Sequence, residues 1–327
     1  MIGVQTARHK HTLVLSADDM AGAAARAVVA FHLRVFVREE AGVRAGEVEP
    51  VHQLRVATRR LRATLRLFAP VLSASALALV NADLAWLGRE IGGVRDLDVL
   101  AEAVKMRGRR LPPSLRRALE PLEDTIRDRR VVTHGRLLEA LDGPRRRTLL
   151  TRLSALSVAP AREPQPVRLG NLAPDLIAPV RRAMVDAGRR LDAKRADAEA
   201  LHQLRVRVKR LRYALETVRG LGGKQLTKTL GRLERLQAFL GAHQDAVTQV
   251  AWLRAWAETA AAPPATLVAA GALVQELTQR ARRRSRRFSR AWQRVDRRSL
   301  DRGLTRELKK GVRGRPAVLR LVRAAAS

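Results

Sequence analysis

The segment VHQLRVATRRLRATLRLF at residues 51–68 returns 150 residues later as LHQLRVRVKRLRYALETV at 201–218, so that His52 is answered by His202. At about 100° per residue, the turn of an α-helix, His52, Arg55, Arg59, Arg62 and Arg66 fall on one face, with Leu54, Leu61, Leu65 and Phe68 on the other. The second copy sets His202, Arg205, Lys209 and Arg212 against Leu204, Leu211 and Leu215. A solvated helix face usually mixes charge signs, because like charges one turn apart repel. Two helices with the same almost purely cationic stripe are suited to a polyanion, and a repeated stripe is harder to ascribe to a solvated surface than a single one.

The whole chain leans the same way. Its 327 residues carry 64 Lys and Arg against 31 Asp and Glu, a formal charge of +33, which calls for an anionic partner. Most of those cations are arginine, whose planar fork matches two phosphate oxygens where lysine offers a point charge. A hydrophobic content of 46% is enough for one large or two ordinary cores. The absence of cysteine excludes disulfides, thiolate chemistry and zinc sites with sulfur ligands. The N-terminus lacks a signal-peptide core and no window approaches about eighteen uncharged apolar residues, so a soluble, cytoplasmic protein is expected, with no membrane partner.

Periodicity along the chain is helical throughout, which predicts an all-α fold. Asp18 and Asp19 open a helix from about Met20 to Ala41, ended by Gly42 and Gly46, with His32 packed inside it. Pro50 opens the basic helix, and a third helix after Pro70 should kink or break at Gly92 and Gly93. That segment repeats too: LAWLGREIGGVRDLDV from Leu84 aligns with LERLQAFLGAHQDAVT from Leu233, matching Gly92 to Gly241 and Asp96 to Asp245. A fourth helix follows Pro112 and Pro113 and has a counterpart after Pro263 and Pro264. The expected division is a flexible tail at 1–17, a four-helix repeat at 18–157, a proline-rich linker at 158–174, a second repeat at 175–295 and a looser basic extension at 296–327.

The paired motifs VHQLRVATRRLR and LHQLRVRVKRLR, each followed by a G-x-x-x-D segment (GGVRD from Gly92, GAHQD from Gly241), resemble the CHAD family, the conserved histidine α-helical domain. The resemblance spans nearly the whole chain. It implies two pseudo-symmetric four-helix bundles whose central basic surface binds inorganic polyphosphate. With polyphosphate as partner, the expected location in the cytoplasm extends to polyphosphate granules. Members occur alone or fused to a triphosphate tunnel domain, whose acidic Glu-x-Glu-x-Lys strand is not visible here, so a stand-alone member is expected. Carried over by position, the site residues are His52, Arg55, Arg59, Arg60, Arg62 and Arg66 in the first copy, then His202, Arg205, Lys209, Arg210 and Arg212 in the second. Arg66 is answered by Glu216, so contact should end one turn earlier in the second copy, and Arg95 is answered by Gln244.

The residue chemistry agrees with that implication. Linear polyphosphate carries about one charge per phosphorus and no side groups, and guanidinium groups repeating every 5.4 Å or so can track it. A protonated histidine adds two donors, while its plain alternative is a helix-packing hydrogen bond. Asp96, Asp98 and Asp245 are expected to form supporting salt bridges with arginines of the basic helices. A metal site from His52, Asp96 and Asp98 is the sharper alternative, but neighbouring arginines repel a cation, and no metal or other cofactor is expected. Non-specific, weak nucleic-acid binding accompanies any such charge, although 3% aromatic content leaves few stacking platforms. Catalysis lacks its parts: there is no Walker loop, no carboxylate pair for two metals and no nucleophile with an evident base.

Overall fold

A computed structural model describes residues 13–158, 167–191, 197–296, 298–310 and 320–321. The first half consists of α1 (Ala21–Arg44), α2 (Val48–Leu67), a 3₁₀ turn (Ala69–Val71), α3 (Ala74–Gly108), the single-turn α4 (Pro113–Arg117), α5 (Glu120–Asp142) and α6 (Pro144–Val158). The second consists of α7 (Leu169–Arg190), α8 (Ala198–Thr217), a 3₁₀ turn (Arg219–Leu221), α9 (Lys224–Thr259), α10 (Pro264–Gln293) and α11 (Arg298–Lys310). The fold is all-helical. Among the described residues extended pairing is confined to a two-residue ladder between β1 (Leu13–Val14) and β2 (Arg320–Leu321) and a bridge from Met20 to Arg168.

The basic helices form because their apolar stripes outweigh their charge. In α2, Val51, Leu54, Leu61 and Leu65 are fully buried, and in α8 Leu204, Val208 and Leu215 are. Each such side chain contributes about 1.5–3 kcal/mol, against roughly 0.2–0.5 kcal/mol for a like-charge pair one turn apart. The chain enters α2 through Gly46, whose φ of 76° is the left-handed conformation that glycine adopts without a Cβ clash. α1 accordingly runs to Arg44, three residues past the expected end, and no side chain caps its start.

Buried side chains gather into three clusters. The first joins the later part of α1, α2, the first half of α3, the end of α5 and α6. The second joins Leu15, the start of α1, α7, α8, the first half of α9, Phe288 and Trp292 of α10, and α11. The third is built from the far ends of α3 and α9, with Leu100, Val104, Leu253 and Trp256 packed against the start of α5 and the first half of α10. Length explains it: the 35- and 36-residue helices α3 and α9 reach about 50 Å at 1.5 Å per residue, well past their 20-residue neighbours α2 and α8. Their distal halves therefore meet in one cluster with α5 and α10, and the two halves of the chain share a core.

Several local expectations are corrected. α3 passes through Gly92 and Gly93 without a break, because both glycines serve close approach. A β-carbon at Gly93 would lie 3.0 Å from Thr133 Cγ2 of α5. The linker is shorter than 158–174: α7 begins at Leu169 and contains Pro174, since Leu169, Ala173, Ile177 and Met184 bury a continuous apolar stripe. The tail is tethered from residue 13, with Leu15 buried. The expected loose extension includes α11, which packs on α7 and α9 through Leu304 and Leu308. Glu307 accepts from the backbone amides of Gln225 (3.3 Å) and Leu226 (2.7 Å), satisfying two free donors at the start of α9. The rest of the expected tail (1–12), linker (159–166) and extension (297, 311–319 and 322–327) lies outside the described residues.

Candidate functional site

α2 and α8 pack on one another, and their cationic faces lie in a shared field. Burial first, and then Arg205, Arg59 and Arg55, push the Lys209 ammonium down to about 7. Arg59 is lowered mainly by burial, with further repulsion from Arg55, Arg205 and Arg212. Arg62 and Arg66 are lowered by burial and by Arg210 across the helix pair. Arg205 is lowered by burial, opposed by Asp245. Arginine stays protonated through such shifts, so the face is a set of mutually repelling, half-desolvated cations.

Within this set two groups separate. Arg55, Arg60, Arg205 and Arg212 are engaged. Arg55 donates through Nη1 to Asp96 Oδ1 (2.7 Å) and to the Gly92 carbonyl (3.0 Å), and Arg205 lies 3.9 Å from Asp245. A β-carbon at Gly92 would sit 3.6 Å from Arg55 Nη1 and one at Gly241 3.8 Å from Arg205 Nε, so each G-x-x-x-D turn presents bare backbone and then a carboxylate to its guanidinium. Arg60 reaches across to Glu216 (3.3 Å), which also accepts from Arg212, while Arg212 Nε donates to Gln237 (2.8 Å). The residue that interrupts the second stripe is thus a clasp between the two basic helices. By contrast Arg59, Arg62, Arg66, Lys209 and Arg210 have no carboxylate partner among the described residues. Buried Nε donors of Arg59, Arg60, Arg62 and Arg205 make no hydrogen bond there. Buried donors are rarely left so, and here four lie on the two basic helices.

The two histidines differ. His202 Nδ1 meets Gln244 Oε1 at 3.0 Å, so the hydrogen bond is that of a ring N–H donating to an amide oxygen. His52 is held below the ordinary histidine range by burial and then by Arg95, and is neutral near pH 7 with a single N–H to donate. The aligned Arg95 and Gln244 therefore each address a motif histidine. Burial raises the Asp245 carboxyl, with Arg205 and Lys209 opposing.

Asp98 departs from its expected role. It lies on the buried side of α3, where Oδ1 accepts from Arg130 Nε of α5 at 2.6 Å, with Arg95 at 4.0 Å, and no arginine of the basic helices reaches it. The i, i+2 spacing from Asp96 turns it by about 200°, to the opposite face of the helix. Among the described residues no three His, Asp or Glu side chains are placed to hold a metal ion. No helix among them is long and apolar enough to cross a membrane. Sequence reading did not find Tyr213, buried among these cations with its ring centroid 4.9 Å from the Arg212 guanidinium, nor the contribution of Gln237, nor the contacts that Glu216 makes; the aligned residues of the first copy, Ala63, Gly88 and Arg66, differ in kind, so repetition did not mark them.

Comparisons with known proteins agree with this architecture. The crystal structure of the CHAD domain from the plant Ricinus communis superposes with a TM-score of 0.72 at 26% identity, covering 96% of this chain and all of that one. PptA from Streptomyces chartreusis shares the fold, with a TM-score of 0.67 at 22% identity over 84% of this chain and 99% of that one. Two uncharacterised Mycobacterium tuberculosis proteins, MT2285 and Rv2226, are each 32% identical over 212 residues, which is 63% of this chain but only 40% of theirs. The CHAD domain model matches residues 27–254, a stretch that holds both basic helices and both G-x-x-x-D turns, and the chain belongs to the CHAD domain family.

Proposed function

We propose that the protein binds inorganic polyphosphate along the joint face of α2 and α8, holding the chain without chemical change. One observation carries the reading: five cations without carboxylate partners among the described residues, Arg59, Arg62, Arg66, Lys209 and Arg210, share one field with four buried, unpaired guanidinium Nε donors. Such a face is strained by its own repulsion, and a linear anion relieves that strain at every turn. The engaged arginines hold the frame while the unengaged ones are left for phosphate. We read the repeated order of a 20-residue helix, a 3₁₀ turn and a 35- or 36-residue helix as an internal duplication that places one motif on each side of the anion. On this reading the protein accompanies polyphosphate wherever it accumulates, granules included.

Competition tests it. At fixed ionic strength, long-chain polyphosphate should displace labelled duplex DNA at a far lower concentration of phosphate than DNA displaces polyphosphate. Equal displacement per charge would assign a general polyanion binder instead, and phosphate release during the assay would make it an enzyme.

Lys209 gives the interaction a pH profile. Its folded pKa of about 7 is below the value of about 10.4 in an unfolded chain, so the ligand-free fold carries a penalty that is full below pH 7 and fades as pH rises toward 10. Phosphate beside the ammonium restores its proton, so binding takes up a proton above pH 7. Affinity should fall there by up to about tenfold per pH unit. Lys209→Arg, charged throughout, should flatten that decline in calorimetric titrations; an unchanged slope would place the titrating group elsewhere.

A further inference from the structure

Beside the basic face, α3, α5 and α9 line a cavity of about 550 Å³ that opens to solvent. Its floor is apolar, with Leu97, Leu100 and Trp252, and its rim carries Arg129 and Arg136. Arg129 lies over the Trp252 ring at 5.1 Å, and neither arginine has a carboxylate partner among the described residues. One lining group is out of place in an apolar hollow. Gln249 is only 6% exposed, yet its carboxamide makes no hydrogen bond among the described residues. Its carboxamide atoms stay open to the water of the cavity, so a ligand that displaces that water must offer both a donor and an acceptor in its place.

We propose that this cavity is a binding site for a nucleoside polyphosphate, distinct from the polyphosphate face. The volume falls in the range of small-molecule pockets, roughly 300–1,000 Å³. A nucleobase answers each element: its ring lies on the apolar floor beside Trp252, and its polar edge satisfies the Gln249 carboxamide, a pairing glutamine makes with adenine. Arg129 and Arg136 meet the phosphates at the rim. Asp96 and Asp128, also at the rim, are placed to accept from ribose hydroxyls. An aliphatic anion would suit the floor and the arginines but would seal Gln249 in unpaired, and a bare polyphosphate would leave the floor unused. The site also touches both halves of the basic face, since Asp96 holds Arg55 while Thr248, in the cavity wall, accepts from Gln244, the partner of His202.

The test compares ATP with inorganic tripolyphosphate by calorimetry on the full chain at one ionic strength. Both carry three phosphates, and ATP has one ionisable oxygen fewer, so tighter binding of ATP can come only from the nucleoside. ATP should bind about tenfold tighter, the contribution of one stacked base. Gln249→Leu, which keeps shape, and Trp252→Ala should each bring ATP down to the affinity of tripolyphosphate and leave tripolyphosphate unchanged. The paired variant Arg59→Glu with Lys209→Glu should do the reverse, weakening tripolyphosphate while ATP keeps its nucleoside-dependent advantage. Equal affinity of the two probes for the wild-type chain, or loss of both together in Gln249→Leu, would overturn the proposal. Failure of tripolyphosphate to bind while ATP still does would remove the polyphosphate reading and leave the nucleotide site standing.

Discussion

Replacing Arg59 and Lys209 together by glutamate should weaken polyphosphate binding by at least about 100-fold at moderate salt, since two charge-assisted hydrogen bonds contribute roughly 1.5 kcal/mol or more each and reversal adds repulsion. The two residues come from different helices, and Arg59 is among the cations that repel the Lys209 ammonium. A ligand spanning α2 and α8 loses a contact on both sides at once. The slope of log affinity against log salt should shrink by about 1.4, two contacts at roughly 0.7 each for a single-stranded polyanion. Stability should move the other way. The pair sits among Arg55, Arg205 and Arg212, so a carboxylate at each position relieves repulsion, and the ligand-free variant should melt no lower than the wild type. Wild-type affinity in such a folded variant would move the binding surface elsewhere, most directly to the arginine-rich last turns of α10, where Arg284 packs over Phe239 at 5.6 Å beside Arg280 and Arg287.

Asp98→Ala should be the most destabilising single change outside the apolar clusters, by about 3–5 kcal/mol, the range for breaking a buried ion pair. The Asp98 side chain is 2% exposed, and its partner Arg130 also donates through Nη2 to the Gly46 carbonyl at 2.8 Å. On the same helix α5, His134 Nε2 donates to Val43 O at 2.7 Å. One carboxylate therefore fixes the arginine that ties α5 to the left-handed turn between α1 and α2. Removing it leaves the mostly covered Arg130 guanidinium without its counter-charge and frees the entry to the basic helix. Asp98→Asn, which keeps one acceptor, should lose less, and polyphosphate affinity of the folded fraction should stay near wild type in both, because Asp98 faces away from the basic stripe. Chemical denaturation checks the ranking; a loss within the half kcal/mol or so of an ordinary surface change would show that the pair is solvated.

Periodicity and repetition were enough to read an all-α chain, the two amphipathic basic helices and the family they resemble, because each of these is a property of local spacing. A stripe at 3.6-residue period survives in any tertiary context that buries its other side. The G-x-x-x-D turns were legible as repeats, but their physical role was not: Gly92 reads locally as a helix breaker at about 1 kcal/mol, and only the Arg55 guanidinium seated on its carbonyl shows why glycine stands inside an unbroken helix. Glu216 read as a defect in the second stripe, whereas it joins Arg60 to Arg212 from opposite helices. Asp96 and Asp98 looked alike on the page, yet one faces Arg55 and the other is buried against Arg130, a difference set by which helix lies on each side of α3. The sequence by itself determined the helices, their polar and apolar faces and the sign of the charge. The tertiary structure alone decided that α2 and α8 share one electrostatic field, that the ends of α3 and α9 join α5 and α10 in a third core, and that α11 docks on α9, because each depends on contacts between segments far apart in the chain, which no local spacing encodes.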